Sequence, residues 1–335
     1  MRIFLALLLL LVAAPCLAEE YPALIPMPKE YLTAPGELIE VKNMPEARSQ
    51  GALSVCYGIS AWYLYVQTQC KANRWDCRFL DDSKVPSVLA LSALGIDAAS
   101  AQRLKTSKIV PYTASGGVTD ALHVLAGEED IPAESCYSLE RLLKINRGNV
   151  GAMAESFAGL KSGYFDKGVA ACVPCLLDML RISFGLDLDE TTARKALKKE
   201  FFETFLYDIF LGQCKSKVTI PEFSGRSWPN VAEQKSFEAF VNRLVELLIN
   251  DIPVAAEICL NQKASEKRCE SGHSLVITGY RKICAPGSKE CRSYIKVQST
   301  WGREWQRLHS DGWIDARTLY AHLDGGLIWM DRWAK

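Results

Sequence analysis

The twelve cysteines restrict the folds open to this chain, because each disulfide would hold two of its segments together. Whether disulfides form depends on the compartment, and the N-terminus predicts export. After Arg2, an apolar run extends from Ile3 to Ala14, and small residues at Cys16 and Ala18 precede two glutamates. This pattern is typical of a secretory signal peptide at residues 1–18, and the run is shorter than the ~20 apolar residues of a membrane span.

Export allows the remaining cysteines to pair, so we expect a secreted or periplasmic protein with structural disulfides. Loss of Cys16 with the signal peptide leaves an odd number of cysteines, which predicts one free thiol. Local spacing predicts three disulfides, each worth ~2.5 kcal/mol by loop entropy: Cys70–Cys77, Cys259–Cys269 and Cys284–Cys291. The spacing leaves open whether Cys172 and Cys175 pair with each other or with the two remaining cysteines, Cys136 and Cys214.

The charged residues are balanced, with 39 Lys and Arg against 39 Asp and Glu. Because the two signs are interspersed, nothing predicts nucleic acid or an anionic membrane as a partner. No apolar stretch after the signal peptide is long enough to cross a membrane, so we expect no membrane span. Enzymes and protein-binding modules remain as the classes to consider.

The order of secondary structure along the chain predicts an α+β fold with helices first and strands last. Val55, Ile59, Trp62 and Val66 have the spacing of one helix face, and Ser54 is a candidate N-cap. A helical middle follows, with a predicted loop from Pro221 to Pro229. Strands are predicted near the C-terminus at Val254–Ile258, Ser274–Tyr280, Tyr294–Val297 and Gly326–Trp329.

Three residues have the chemistry that a thiol nucleophile requires. Cys56 lies in the first turn of the first predicted helix, where the helix dipole favours a thiolate. His273 precedes an apolar strand and could act as base, and Gln50, six residues before Cys56, could donate to an oxyanion. We therefore predict that Cys56 is the free thiol.

Several short motifs resemble segments of the papain-like cysteine peptidases, the papain and cathepsin family. The stretch from Gln50 to Ser60 resembles the active-site segment of the family, including the separation of Gln and Cys. The other resembling segments follow in family order: Ser115-Gly116-Gly117 and Ile131–Tyr137 for the cleft lining, Pro253–Ala256 for the opening strand, Gly272–Tyr280 for the histidine strand, and Ser299–Trp305 with Asp311–Ile314 for the Asn-Ser-Trp-Gly motif and the strand after it. Together these segments cover about half of the mature chain.

The resemblance implies catalytic roles. Cys56 would be the nucleophile, His273 its base and then the general acid, and Gln50 would stabilise the oxyanion with the Cys56 backbone N–H. Ser299 stands where the family has the Asn that orients the histidine, and its hydroxyl is shorter than an amide. We therefore expect the histidine to be held less tightly than in the family pattern.

The resemblance also implies substrate-binding roles for three residues. Trp301 would shield the base from water, and Gly116 and Gly117 would pair with the substrate backbone. No metal and no organic cofactor is implied, and the expected partner is a peptide or protein substrate. We expect a monomer.

The implied fold is two-lobed, with a helical left lobe, an antiparallel β right lobe and the active-site cleft between them. Residues 19–335 would form this domain, with a mainly helical insertion near 140–230 that could also bind a protein partner. The implied function is that of an exported cysteine peptidase. Two alternatives stay open: a catalytically degenerate peptide-binding or scaffold protein, because Ser299 replaces the family Asn, and a thiol acyltransferase on the same fold.

Overall fold

The computed structural model describes residues 21–51, 53–95, 116–145, 150–165, 172–229, 236–261, 269, 271–284 and 290–331. The predicted signal peptide at residues 1–18 and the motif residue Ser115 lie outside these ranges. All other candidate site residues lie within them.

Most of the described helices lie before residue 250. In the described ranges they are α1 (Cys56–Asn73), α2 (Val88–Leu94), α3 (Val118–Gly127), α4 (Leu139–Ile145), α5 (Val150–Phe165), α6 (Val173–Phe184), α7 (Glu190–Leu197), α8 (Phe202–Leu211), α9 (Phe237–Ile249), α10 (Arg303–Leu308) and α11 (Ala316–Ala321). The predicted order of helices first and strands last is therefore confirmed.

Most strands lie in the last third of the chain and form one antiparallel sheet with an early strand, and two further short strands form a separate antiparallel pair. The strands are β1 (Glu37–Glu40), β2 (Asp130–Pro132), β3 (Lys217–Thr219), β4 (Ser224–Trp228), β5 (Val254–Cys259), β6 (Gly272–Cys284), β7 (Cys291–Ser299), β8 (Trp313–Asp315) and β9 (Leu323–Asp331). Within the described ranges the main sheet has the order β4-β9-β5-β6-β7-β8, with β1 paired to the far half of β6. An antiparallel α+β fold is thus confirmed.

The main sheet packs helices against both of its faces, because successive side chains of a strand point to opposite sides. Val276 of β6 belongs to the same buried cluster as α1, whereas its neighbours Leu275 and Ile277 pack with Phe240 of α9. Helix α1 lies between the sheet and the other helices and is buried on almost every side from Tyr57 to Val66. The predicted apolar face of α1 is therefore one part of a helix that is apolar nearly all round.

Two local predictions were wrong. Helix α1 begins at Cys56 with Val55 in the N-cap position and no side-chain cap, so Ser54 is not the N-cap. The predicted loop at residues 221–229 contains strand β4, which pairs with β9 at the edge of the sheet. Its Gly and Ser residues gave no strand pattern, because an edge strand with exposed side chains needs no apolar alternation.

Five disulfides form among the described cysteines and leave Cys56 free. The three predicted local pairs are present: Cys70–Cys77, Cys259–Cys269 and Cys284–Cys291. The pairing that the spacing left open is Cys172 with Cys175 and Cys136 with Cys214. This pairing is compatible with an extracellular location. No helix among the described residues is long and apolar enough to cross a membrane.

The segment that contains α4 to α8 begins and ends at neighbouring positions in the fold. Ile131 of β2 pairs with Val218 of β3, and the Cys136–Cys214 disulfide joins the same two segments. The chain between them packs through Phe157, Phe184 and Phe210, whose rings contact one another. The helical character predicted for residues 140–230 is therefore present up to Leu211, and its status as an insertion stays a prediction.

Candidate active site

A cleft of about 500 Å³ brings together six of the seven predicted site residues. They come from four separate segments: the loop before α1 with the start of that helix, the residues before α3, the start of β6, and the turn after β7. The cleft is lined by Gln50, Cys56, Gly116, Gly117, His273 and Trp301. Ser299, the seventh, is fully buried and does not line the cleft.

The thiol of Cys56 is surrounded by hydrogen-bond donors. As the first residue of α1, it lies at the uncapped end of the helix, and the backbone N–H groups of Cys56 and Tyr57 donate to its sulfur. Ser274 donates to the same sulfur from its backbone N–H and its hydroxyl. Burial nevertheless raises the pKa of the Cys56 thiol, because loss of water costs a thiolate more than these donors return.

His273 is held between apolar groups at the start of β6. Its side chain is 4% exposed, and its ring stacks on Trp301 with ring centroids 4.1 Å apart. Burial lowers the pKa of His273 to about 3, because the imidazolium would lose its hydration. Among the described residues, no group forms a hydrogen bond with its buried Nε2 atom.

Both shifts favour the neutral forms of the two groups. The sequence predicted a thiolate stabilised by the helix dipole, but the raised pKa of Cys56 and the lowered pKa of His273 point the other way. Desolvation outweighs the dipole because His273 is buried and Cys56 is half-buried among protein groups. At neutral pH the unliganded protein therefore holds a thiol and a neutral imidazole.

Alkylation rates of Cys56 test the protonation state directly. We expect the rate with iodoacetamide to rise continuously from weakly acidic to strongly alkaline pH, because only the thiolate reacts and burial holds the thiol pKa above 9.0. Mass spectrometry of the alkylated peptide gives the rate, with glutathione as a reference thiol. A plateau that extends from weakly acidic to neutral pH would reveal a thiolate–imidazolium pair and contradict this assignment.

Neither candidate for the orienting residue contacts the histidine. The Ser299 hydroxyl accepts a hydrogen bond from the Trp301 backbone N–H at 3.2 Å. Gln298 points to the other side of β7, as expected for the next residue of a strand, and its Nε2 donates to the Pro45 carbonyl at 2.7 Å. His273 is therefore positioned by stacking rather than by a polar partner on Nε2.

Gln50 is fixed by bonds to the turn that follows β7. Its backbone N–H donates to the Thr300 carbonyl at 2.7 Å, and the Thr300 hydroxyl donates to Gln50 Oε1. Because its carbonyl oxygen is occupied, the amide nitrogen is the part of Gln50 left to donate to a group in the cleft. This geometry suits the predicted role at an oxyanion.

Arg48 anchors the loop that carries Gln50, and the sequence analysis missed it. Its guanidinium lies 4.2 Å from the ring centroid of Trp62 and donates to Glu134 at 2.8 Å and to Asp82 at 3.1 Å. Its backbone N–H donates to the Tyr63 hydroxyl. No local motif could reveal this network, because its members lie up to 86 residues apart.

Packing restricts Gly116 in particular. A Cβ atom on Gly116 would lie 2.5 Å from the ring of Tyr57, and one on Gly117 would lie 2.7 Å from the Asp120 carboxylate. Tyr57 cannot easily move, because its hydroxyl donates to the Ser92 carbonyl. Gly116 therefore lets the segment before α3 approach α1 closely, whereas a side chain at Gly117 would meet the movable end of Asp120.

Other cleft residues had no signal in the sequence. Tyr21 lines the cleft and stacks on Trp301 with centroids 5.2 Å apart. Three carboxylates, those of Asp120, Glu257 and Asp324, also line it. Within the described ranges no three Cys, His, Asp or Glu side chains are grouped so that they could hold a metal ion.

Comparison with known proteins does not assign this chain to a family. A scan against protein-family models finds no match, and a search of curated proteins finds no significant relative. Function is therefore inferred from the residues of the cleft and from their contacts.

Proposed function

We propose that the protein is an exported cysteine peptidase with a papain-like two-lobed fold, in which Cys56 is the nucleophile. One observation carries the proposal: a free thiol at a helix N-terminus, an imidazole and a side-chain amide line one cleft, although they come from distant segments. These are the groups that acyl transfer through a thiol requires. The helical lobe would comprise α1 to α8, and the β lobe the main sheet with α9 to α11.

The reaction follows from the chemistry of these groups. His273 takes the proton from Cys56 Sγ as the sulfur attacks the carbonyl carbon of the substrate, so the C=O π pair moves onto oxygen. The Gln50 amide and the Cys56 backbone N–H donate to that oxyanion. Collapse breaks the C–N bond, and His273 returns its proton to the leaving amine. Water then attacks the thioester, which releases the acid and restores the thiol.

The neutral forms of Cys56 and His273 determine when the proton passes from the thiol to the imidazole. Because the thiol and the imidazole are both neutral before substrate binds, proton transfer accompanies attack rather than preceding it. A base whose pKa is depressed accepts a proton reluctantly, so the intrinsic rate should be low unless substrate changes the surroundings of the ring.

A peptide-binding protein without catalysis is the second candidate. The observations that favour it are the unpartnered Nε2 of His273 and the use of the Ser299 hydroxyl by Trp301. Such a protein would keep the cleft and bind peptides without cleaving them.

Cleavage of a peptide library, read by mass spectrometry, separates these functions. The peptidase proposal predicts hydrolysed products that are absent with the Cys56→Ala variant. Added amines distinguish the thiol acyltransferase, because its products would carry the amine in place of water. Binding without any product would support the second candidate and overturn the first.

Ser299 provides a graded test of the proposal. Ser299→Ala is expected to lower kcat/KM by less than about tenfold, because the hydroxyl contacts Trp301 rather than His273. Ser299→Asn is expected to raise kcat/KM by up to about tenfold, because an amide has the reach to accept from the imidazole. Steady-state kinetics on one peptide measures both.

Two further variants serve as controls for Ser299. Ser299→Leu has nearly the bulk of asparagine without the amide, so it should not increase kcat/KM. Gln298→Ala removes the bond to Pro45 on the other side of β7 and should leave the pH profile unchanged. Loss of activity in folded Ser299→Ala as complete as in His273→Ala would refute the minor role assigned to this hydroxyl.

A further inference from the structure

Three carboxylates share the cleft with the candidate nucleophile. They come from different elements: Asp120 from the first turn of α3, Glu257 from β5 and Asp324 from β9. Asp120 and Glu257 are half-buried and Asp324 is exposed. Asp120 and Asp324 both raise the pKa of Glu257 in addition to the effect of burial, which places the three within electrostatic reach of one another.

These carboxylates lack the compensation that buried charges normally have. The ion pairs in the described part of the chain involve many other acidic residues, but none of these three. Glu257 accepts one hydrogen bond, from the Val118 backbone N–H at 2.8 Å. Three like charges on one wall repel one another, so a cation that enters the cleft would be favoured.

The position of Glu257 relates this wall to the reacting sulfur. Glu257 lies directly opposite Ser274 in the β5–β6 pair, and Ser274 donates to the Cys56 sulfur. Side chains of directly opposite residues are on the same face of a sheet. A substrate side chain that reaches Glu257 would therefore belong to a residue close to the scissile bond.

A second observation in the same cleft also points to a ligand. His273 lines the cleft, is 4% exposed and has no hydrogen-bond partner for Nε2 among the described residues. A polar group left unpaired in the unliganded protein is typical of a site that a ligand completes. The carboxylates are not arranged as a metal site, because the described residues hold no metal-binding group of three.

We propose that Asp120, Glu257 and Asp324 select substrates with a Lys or Arg side chain at one position beside the scissile bond. This inference rests on the proposed peptidase function, since it names the substrate class for the same cleft. The ammonium or guanidinium would supply the positive charge that the cleft lacks, and Glu257, the most enclosed of the three, would contribute most.

A purely structural role for Glu257 must be separated from this one. Its bond to Val118 caps the N-terminus of α3, so alanine at this position could disturb the helix. Glu257→Gln keeps an acceptor for Val118 and removes only the charge. Asp324→Asn is a second test, because Asp324 is exposed and caps no helix. Glu238→Gln is the matched control, since it removes an exposed carboxylate from the first turn of α9, outside the cleft.

The experiment compares cleavage rates for peptide sets that carry Lys, Arg, norleucine or Glu at each position in turn. We expect Lys and Arg to exceed norleucine by at least about tenfold at one position, and Glu257→Gln to lower that ratio by roughly tenfold. Asp324→Asn should reduce the ratio by a smaller factor, and added salt should weaken the preference. Glu238→Gln should leave it unchanged.

Two outcomes would overturn the inference. If the wild type cleaves the library without a preference for Lys or Arg, or if Glu257→Gln keeps that preference, the proposed selection of basic substrates is wrong. The peptidase proposal would still hold in either case. If no peptide is cleaved, the peptidase proposal fails, and fluorescence anisotropy of labelled Lys and norleucine peptides on Cys56→Ala still tests selection. Equal affinity for both peptides there would overturn it.

Discussion

Replacement of Cys56 with alanine is expected to abolish peptide hydrolysis, with a loss of at least about 10³-fold in kcat. Cys56 is the free cysteine among the described residues, and it lines the same cleft as His273. His273→Ala should cause a loss of similar size, because Cys56 would then have no base. Single-turnover kinetics on the best library peptide measures both effects.

Two controls separate lost chemistry from lost folding. Cys56→Ser keeps the size of the side chain and should also be inactive, because a buried imidazole of depressed pKa is too weak a base for a hydroxyl. Thermal unfolding of each variant should match the wild type within a few degrees. If Cys56→Ala retains more than about a tenth of the activity, Cys56 is not the nucleophile.

The largest effect on stability is expected at Glu134, which is fully buried. Its carboxylate accepts hydrogen bonds from Arg48 at 2.8 Å, from the Val88 backbone N–H at 2.9 Å and from the Leu139 backbone N–H at 3.2 Å. It thereby joins the loop before α1 to the starts of α2 and α4. Glu134→Ala should lower the free energy of unfolding by about 3–5 kcal/mol, because it leaves two buried N–H groups without a partner and leaves Arg48 with only the half-exposed Asp82 as a counter-charge.

Denaturant unfolding followed by fluorescence measures this loss. Glu134→Gln, which keeps acceptor capacity for the backbone N–H groups, should cost less than Glu134→Ala. Asp82→Asn is the matched control, because it removes the half-exposed partner of the same guanidinium and should cost at most about 1 kcal/mol. A loss at Glu134→Ala no larger than at Asp82→Asn would show that the buried network does not hold these segments together.

Sequence patterns were sufficient for features that depend on local chemistry. The odd number of cysteines left after the signal peptide predicted one free thiol. Short spacing between cysteines predicted three of the disulfides. The β5 and β6 strands were visible because each contains a short run of buried apolar residues. Cys56 and His273 were found because each lies at the start of a predicted element, where a cleft can form, and Gln50 was found by its separation from Cys56.

Features that depend on distant contacts could not be predicted. Glu134 and Arg48 look like ordinary surface charges in the sequence, and only the fold buries them against each other. The wall formed by Asp120, Glu257 and Asp324 comes from three separate elements. The expected thiolate at Cys56 differs from the structure for a related reason. The helix end that favours a thiolate was visible in the sequence, but the burial that raises the pKa of the thiol was not.

Stoichiometric labelling by a peptidyl epoxide tests the central claim that Cys56 is the nucleophile of a peptide-binding cleft. Intact-mass measurement and peptide mapping give the number and position of the labels. We predict one label per chain, located on Cys56, at a rate that falls at least about tenfold in His273→Ala and in the denatured protein. Labelling of Cys56 at the same rate in the folded and denatured states, or no labelling of the folded protein, would contradict the proposed function.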